Sequence, residues 1–129
     1  MRKDIAICLY ARASIVLAGA LIAACAPERD FEPRVRNADA DNGRLALRSH
    51  ECGVCHLIPG VPGAVGRVGP TLAAYSRFPY VAGKFPNEPE LLIRWIRDAP
   101  ALAPQTAMPA IAVTEQEARD MAAYLYTLE

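Results

Sequence analysis

Cys52, Cys55 and His56 are the residues of this chain whose types and spacing most directly indicate chemistry, in the run CGVCH at 52–56. On a helix, residues three and four positions apart lie on one edge, so two thiols and an imidazole would project together. Two thiols at this spacing can form thioethers with the vinyl groups of a haem, and the imidazole can bind its iron. The run therefore predicts covalent attachment of one haem c.

Other kinds of site also use these residue types. A closed zinc site needs four Cys or His ligands, and His50 is the only additional candidate because no Cys or His follows His56. A thioredoxin-like CxxC motif belongs to an alternating pattern of strands and helices, which this sequence lacks. A disulfide between Cys52 and Cys55 would close a very small loop, and such bonds are usually redox-active. The motif alone leaves these alternatives open.

The amino-terminal part has the composition of a secretory signal. A basic segment, residues 1–12, precedes the uncharged apolar run 13–24, which is shorter than the roughly 20 residues of a membrane-spanning helix. The sequence LIAAC at 21–25 resembles the lipobox of bacterial lipoproteins. We therefore expect residues 1–24 to be a lipoprotein signal peptide and Cys25 to carry the lipid anchor.

Two alternatives remain for this segment. Ala24 and Ala26 also fit a small-residue cleavage pattern, although Pro27 would then follow the cut. An uncleaved segment could instead act as a short signal anchor. The lipoprotein interpretation predicts an exported protein that is held on the periplasmic side of a membrane by its acyl chains.

Export also accounts for the four cysteines. Cys8 would leave with the signal, Cys25 would be lipidated, and the remaining pair would bind the haem, so no structural disulfide is expected. From Cys25 onward, 11 Lys and Arg residues face 13 Asp and Glu residues, a net charge of −2. This balance excludes the strongly basic surface typical of nucleic-acid-binding proteins.

The rest of the chain divides into a polar, Pro-containing tether, residues 25–41, and a folded domain, residues 42–129. The tether has few large apolar residues, which is typical of a flexible linker. The domain is short for a self-sufficient core. A buried haem would supply the missing apolar area.

Helix signals recur through the domain. A first helix is predicted over Gly43–Glu51 with Asp41 or Asn42 as its cap. The segment 57–70 is too rich in Pro and Gly for regular structure, and a short helix is predicted at 71–76. The next helix is predicted to begin after a cap at Asn87 and to end before Pro100. The last helix is predicted to begin with a Thr114/Glu117 capping box. His50 is expected to be a solvated helix residue. No strand pattern is present, so the fold class is all-α.

These pieces together resemble a class I cytochrome c domain. The resemblance covers residues 43–128 and rests on the helix entering Cys52-x-x-Cys55-His56, the run GPTL at 69–72, the run TAMP at 106–109 and the terminal helix. It implies three to five helices around one covalently bound haem, with long Pro/Gly-rich loops. It also implies that the first and last helices cross in contact.

The resemblance further implies roles for three residues outside the motif. Met108, 52 residues after His56, would be the second axial iron ligand, whereas Met121 belongs to the apolar stripe of the last helix. The carbonyl of Pro70 would accept a hydrogen bond from His56 Nδ1. Trp95 either donates its indole N–H to a haem propionate, with Arg94 or Arg97 nearby, or is an ordinary core residue.

One departure from the family pattern concerns Gly43. Many members have a Gly eight residues before the first Cys, whereas Gly43 lies nine residues before Cys52. Gly43 and Leu47 can still form the helix crossing if the turn before Cys52 holds one additional residue.

A haem with both axial positions filled exchanges single electrons and has no open iron site for a substrate. The resemblance therefore implies a non-enzymatic electron carrier between membrane-associated respiratory or dehydrogenase complexes, with transient redox partners. One alternative is the electron-outlet subunit of a larger oxidase or dehydrogenase. If Met108 were not a ligand, the open iron site would instead permit gas binding or peroxidase activity.

Overall fold

The computed structural model describes residues 33–129; the predicted signal peptide and the proposed anchor Cys25 lie outside them. Four α-helices follow one another in this part of the chain: α1 (Ala40–Ser49), α2 (Pro89–Arg97), α3 (Ala99–Leu102) and α4 (Glu115–Thr127). Between α1 and α2 lie two 3₁₀ turns, Cys52–Val54 and Tyr75–Arg77, and a small antiparallel ribbon of β1 (Tyr80–Val81) and β2 (Phe85–Pro86). The prediction of an all-α domain with three to five helices and long loops is confirmed. The two strands are too short to leave an alternating pattern in the sequence.

The crossing of α1 and α4 depends on Gly43. A Cβ atom at Gly43 would overlap the backbone carbonyl of Asp120, so only glycine permits this approach, and Leu47 is buried on the same helix. α1 ends at Ser49, and Glu51 has a left-handed φ of 56° before the 3₁₀ turn begins. This break in the helix lets Gly43 reach the crossing despite its longer spacing from Cys52.

α1 begins earlier than the sequence predicted, because Asp39 is its cap. The Asp39 carboxylate accepts hydrogen bonds from the backbone N–H groups of Asp41 and Asn42. The predicted caps, Asp41 and Asn42, therefore lie in the first turn. The backbone N–H of Asp39 in turn donates to the buried carboxylate of Asp120 on α4, at 2.9 Å.

The packed part of the chain also begins before residue 42. Val35 is 3% exposed. The Arg34 guanidinium donates to the backbone carbonyls of Ser76 and Asn87, at 3.2 and 2.6 Å, and lies 4.1 Å from the centre of the Tyr126 ring. The end of the predicted tether is thus attached to the domain, a result of long-range contacts that its polar composition does not reveal.

Asn87 has a different role from the predicted one. α2 is capped by Glu88 without a side-chain hydrogen bond, and the buried Asn87 amide instead donates to the carbonyls of Tyr75 and Phe78 and accepts from the Tyr126 hydroxyl. Asn87 therefore connects the second 3₁₀ turn to α4. The helix stop at Pro100 was also wrong: α2 ends at Arg97, and Pro100 lies in the first turn of α3, where its missing N–H costs nothing.

α4 follows its sequence signals closely. The capping box is present: the Thr114 hydroxyl accepts from the backbone of Glu117, whose carboxylate accepts from the backbone N–H of Thr114. The apolar side of α4 is buried, and Ala118, Met121 and Ala122 on it are completely inaccessible to solvent. Between residues 33 and 129, the structure contains no helix with the length and apolarity needed to span a membrane.

Candidate cofactor site

A large cavity lies between the helices and the long loops. Its volume is about 820 Å³, toward the upper end of the range for small-molecule and cofactor sites in proteins. Its wall contains every predicted haem-site residue within the described part of the chain, namely Cys52, Cys55, His56, Pro70, Trp95 and Met108. Much of the remaining wall is apolar: Leu47, Leu72, Phe78, Val81, Leu92, Ile96 and Leu125.

The two cysteines are presented by a tight turn and not by a continuous helix. Cys52 begins the first 3₁₀ turn, and its carbonyl accepts from the backbone N–H groups of Cys55 and His56, at 3.3 and 3.0 Å. The spacing argument assumed a helix through the motif, whereas α1 ends at Ser49 and a tighter 3₁₀ turn brings all three side chains to one cavity. Both thiols are free and half-buried.

Burial raises the pKa of the Cys52 thiol, and the neighbouring Cys55 adds to this effect. A redox-active CxxC pair normally has a lowered pKa in one thiol, because the thiolate is the attacking form. Cys52 therefore lacks the electrostatic setting of a thioredoxin-like nucleophile. Nor do the described residues place three or more His, Cys, Asp or Glu side chains together in a metal-binding group, so a closed zinc site has no support there.

The ring of His56 is held by the segment that follows it. Its Nδ1 lies 2.7 Å from the carbonyl oxygen of Pro70, the contact that the family resemblance implied. A carbonyl can only accept, so Nδ1 carries the proton and Nε2 is left with the lone pair that can bind a metal. A Cβ atom on Gly69 would lie 2.7 Å from Nδ1 and 2.9 Å from Nε2 of the ring, so this glycine lets the loop approach the imidazole.

Met108 reaches the same cavity from a separate loop, which is attached to the end of α2. Ala110 forms an isolated antiparallel bridge with Asp98, and the N–H of Ile111 donates to the carbonyl of Arg97 at 3.0 Å. The backbone N–H of Met108 donates to Oγ1 of Thr106 at 3.2 Å. None of these positioning contacts was predicted, because they join distant segments or depend on the loop conformation.

Three other residues of the cavity wall test smaller predictions. Met121 is fully buried in the apolar core, which agrees with its interpretation as a packing residue. Trp95 is 8% exposed and stacks obliquely with Phe85. His50 is not a solvated helix residue: it caps α1, and its Nε2 lies 3.5 Å from the Glu117 carboxylate with the side chain 25% exposed.

The donor set and the shape of the cavity fit a c-type haem. Two thiols and an imidazole with a free Nε2 share the cavity with the thioether of the half-buried Met108, and these are donor groups found on haem iron and its vinyl attachments. The second methionine of the wall, Met121, is fully buried in the core. Gly69 provides the space that the oriented imidazole needs. The apolar wall suits a hydrophobic macrocycle that completes the core.

Comparison with known proteins agrees with this geometry. The family model described as Cytochrome c matches residues 40–129. The cytochrome c oxidase subunit 2 of Alkalihalophilus pseudofirmus is 31% identical over 91 residues, which cover 70% of this chain. The matched region corresponds to 26% of that relative, so the chain spans about a quarter of its length.

The family match covers the three helices that enclose the cavity, the CGVCH run and the Met108 loop. Membership of this family implies a covalently bound haem c and a role in electron transfer, as a carrier and not as a catalytic enzyme. On its sequence, its fold and the wall of its cavity, this chain belongs to the cytochrome c family, as a class I domain.

Proposed function

We propose that this protein transfers single electrons between membrane-associated respiratory or dehydrogenase complexes through one His/Met-ligated haem c. A bound haem supplies a one-electron iron couple. The observation that carries this proposal is the convergence of Cys52, Cys55, His56 and Met108 on one apolar cavity.

Each residue has a distinct task. Cys52 and Cys55 would form the two thioether links to the haem, while His56 Nε2 and the Met108 sulfur would hold its iron. The Pro70 carbonyl keeps the proton on Nδ1 of His56 and so leaves Nε2 oriented and free to hold a metal. Trp95 lies in the cavity wall, where its indole N–H would donate to a propionate.

Ligation by Met108 is tested by spectroscopy. Oxidised haem with a Met ligand has a weak near-infrared sulfur-to-iron band, so we expect this band in the wild type and its loss in Met108→Ala. The matched control is Met121→Leu, which changes the other methionine of the described chain and should retain the band. A band that survives in Met108→Ala would exclude Met108 as the ligand and favour an open iron site, as in gas-binding proteins and peroxidases.

We further propose that the protein is exported and held on the periplasmic side of a membrane by a lipid on Cys25. The signal-like composition of residues 1–24 and the LIAAC run support this part. The intact mass of the membrane-extracted protein tests it together with the haem. We expect one haem plus acyl chains on a chain that begins at Cys25, and the mass of the bare polypeptide would contradict both.

A second candidate is an electron-outlet subunit of a larger oxidase or dehydrogenase. The similarity to a cytochrome c oxidase subunit 2 favours it. Purification in mild detergent separates the candidates, because a subunit co-migrates with an oxidase or dehydrogenase activity and a free carrier does not.

A further inference from the structure

Exposed apolar side chains are concentrated beside the cysteine-bearing wall of the cavity. Among the described residues, six large hydrophobic side chains are exposed, and four of these belong to residues 54–68. We call these four the apolar face: Val54 (68% exposed), Leu57 (36%), Val65 (72%) and Val68 (82%). Single exposed hydrophobic residues are common on proteins, but a cluster of this kind marks an interaction site.

The apolar face is one surface because backbone contacts hold its segments together. Leu57 and Val65 face each other in an isolated antiparallel bridge. The N–H of Gly66 donates to the carbonyl of Gly53 at 3.0 Å, which places the residues beside Val54 and Val65 in direct contact. The N–H of Gly69, next to Val68, donates to the carbonyl of Cys55 at 2.8 Å.

The charge distribution sets this surface apart from the rest of the domain. Residues 52–76 contain one Lys, Arg, Asp or Glu side chain, Arg67, whereas the whole range 33–129 contains 20 of them, equally divided between the two signs. A redox protein with a ring of charged residues would meet almost no opposite charge on this surface. Its charged groups would lose their hydration without forming ion pairs.

The position of the apolar face connects it to the proposed electron transfer, on which this inference rests. Val68 belongs both to the face and to the cavity wall, and Val54 lies between the two cysteines that line that wall. A protein seated on the face is therefore brought close to the haem site. Four side chains are far fewer than the 20 to 30 residues per side in a typical stable interface, so the contact fits a transient encounter.

We propose that the apolar face is the docking surface for a redox partner whose own electron-entry surface is uncharged and apolar. Recognition then depends on the removal of apolar surface from water and not on salt bridges. Because this attraction is short-ranged, association should be nearly independent of ionic strength, unlike electrostatically steered encounters.

Electron self-exchange tests the proposal with the protein itself as the probe, since a second copy presents a surface of the required chemistry. In an equal mixture of reduced and oxidised haem protein, one copy loses the electron that the other gains, and nuclear magnetic resonance measures the rate. We expect the wild-type rate to change less than about threefold between low and high salt, because the face carries almost no charge.

The variants separate apolar contact from charge repulsion. Val68→Asp should slow self-exchange about tenfold or more, since the contact must then desolvate a carboxylate, and high salt should not restore the rate. Val68→Thr introduces a polar side chain of similar shape. It should slow self-exchange less than Val68→Asp does, and by the same factor at all salt concentrations. Leu45→Asp is the matched control, because Leu45 is 54% exposed on α1 and does not line the cavity; its rate should stay within about twofold of the wild type.

Several results would overturn the docking proposal. These are equal rates for Val68→Asp and Leu45→Asp, full recovery of Val68→Asp by salt, or a stable wild-type dimer in sedimentation, which would make the face a permanent interface between copies. A potentiometric titration distinguishes failure of the docking proposal from failure of the proposed electron transfer. If the wild type takes up one electron reversibly but its self-exchange rate does not respond to Val68→Asp, the docking surface is refuted and the proposed electron transfer stands.

Discussion

At the scale of single residues, Gly69 controls how the His56 ring is oriented. Its missing side chain lets the loop pass close to the ring, and the neighbouring Pro70 carbonyl then accepts from Nδ1. Gly69→Ala should push the imidazole out of this position and destabilise the holoprotein by about 1–3 kcal/mol, the usual cost of overpacking. A shifted reduction potential and an altered haem spectrum should accompany the lower stability.

Gly63→Ala is the control for this prediction. A Cβ atom there meets nothing within 4 Å, although φ is +80°. The strained backbone should cost about 1 kcal/mol without any change in potential or spectrum. An unchanged spectrum and potential in Gly69→Ala would show that the ring has another means of support.

The residues that act locally in sequence are those that the sequence predicted best. The two cysteines and His56 reach one cavity, as their types and spacing predict. Met108, whose role the family resemblance implied, reaches the same cavity from a distant loop. Asp120 and Asn87 were missed in their buried roles, since their partners lie 81 and 39 residues away, at Asp39 and Tyr126. No pattern within a short window can reveal such pairs.

At the scale of secondary-structure elements, the start of α4 gives a pH-dependent contribution to stability. Hydrogen bonds from the backbone and then the hydroxyl of Thr114, followed by the contact with His50, lower the pKa of Glu117 below its ordinary value of 4.5. A carboxyl group whose pKa is lowered on folding stabilises the protein above its unfolded pKa. This stabilisation is lost as the pH falls from about 4.5 through the folded value.

Thr114→Ala should therefore have its larger effect near neutral pH. We expect a loss of about 1 kcal/mol at pH 7, typical of a removed N-cap, and a smaller difference at pH 3, measured by chemical denaturation. The titration midpoint of Glu117 should move toward its ordinary value. Glu117→Gln is the control, because it keeps an acceptor oxygen but cannot titrate; an unmoved midpoint in Thr114→Ala would disprove the assignment.

The boundaries of the helices were harder to predict than their existence. The capping box of α4 is a reciprocal local motif, and the sequence located it correctly. α1 starts at Ala40 because the distant Asp120 fixes the backbone of Asp39. α2 ends at Arg97, and Asp98 then caps α3, so the stop precedes the proline that had been expected to cause it.

At the scale of the whole molecule, the cavity makes the haem a structural part of the fold. In the chain without haem, the apolar wall of this cavity, which includes Leu92 and Ile96, would lie against water. Burial of apolar surface is the main favourable contribution to folding. We therefore expect the arrangement of helices around the cavity to be much less stable without the haem.

We expect the wild-type chain made without haem attachment to lack a cooperative unfolding transition and much of the helical circular dichroism of the holoprotein. The holoprotein prepared from the same gene is the control. Native-like helix content together with a sharp thermal transition in the haem-free chain would show that the core closes without the cofactor.

The attachment of Arg34 and Val35 to the domain, described above, limits how far the haem can travel. If Cys25 carries the proposed lipid, the first fixed side chain, Arg34, lies nine positions after the anchor, with eight residues between them. Fully extended, nine residue steps reach about 30 Å, roughly one domain diameter. So short a linker would confine the carrier to a thin layer at the membrane surface. Its effective concentration toward a membrane-bound partner would then reach about the millimolar range. Weak docking would then suffice for rapid electron transfer.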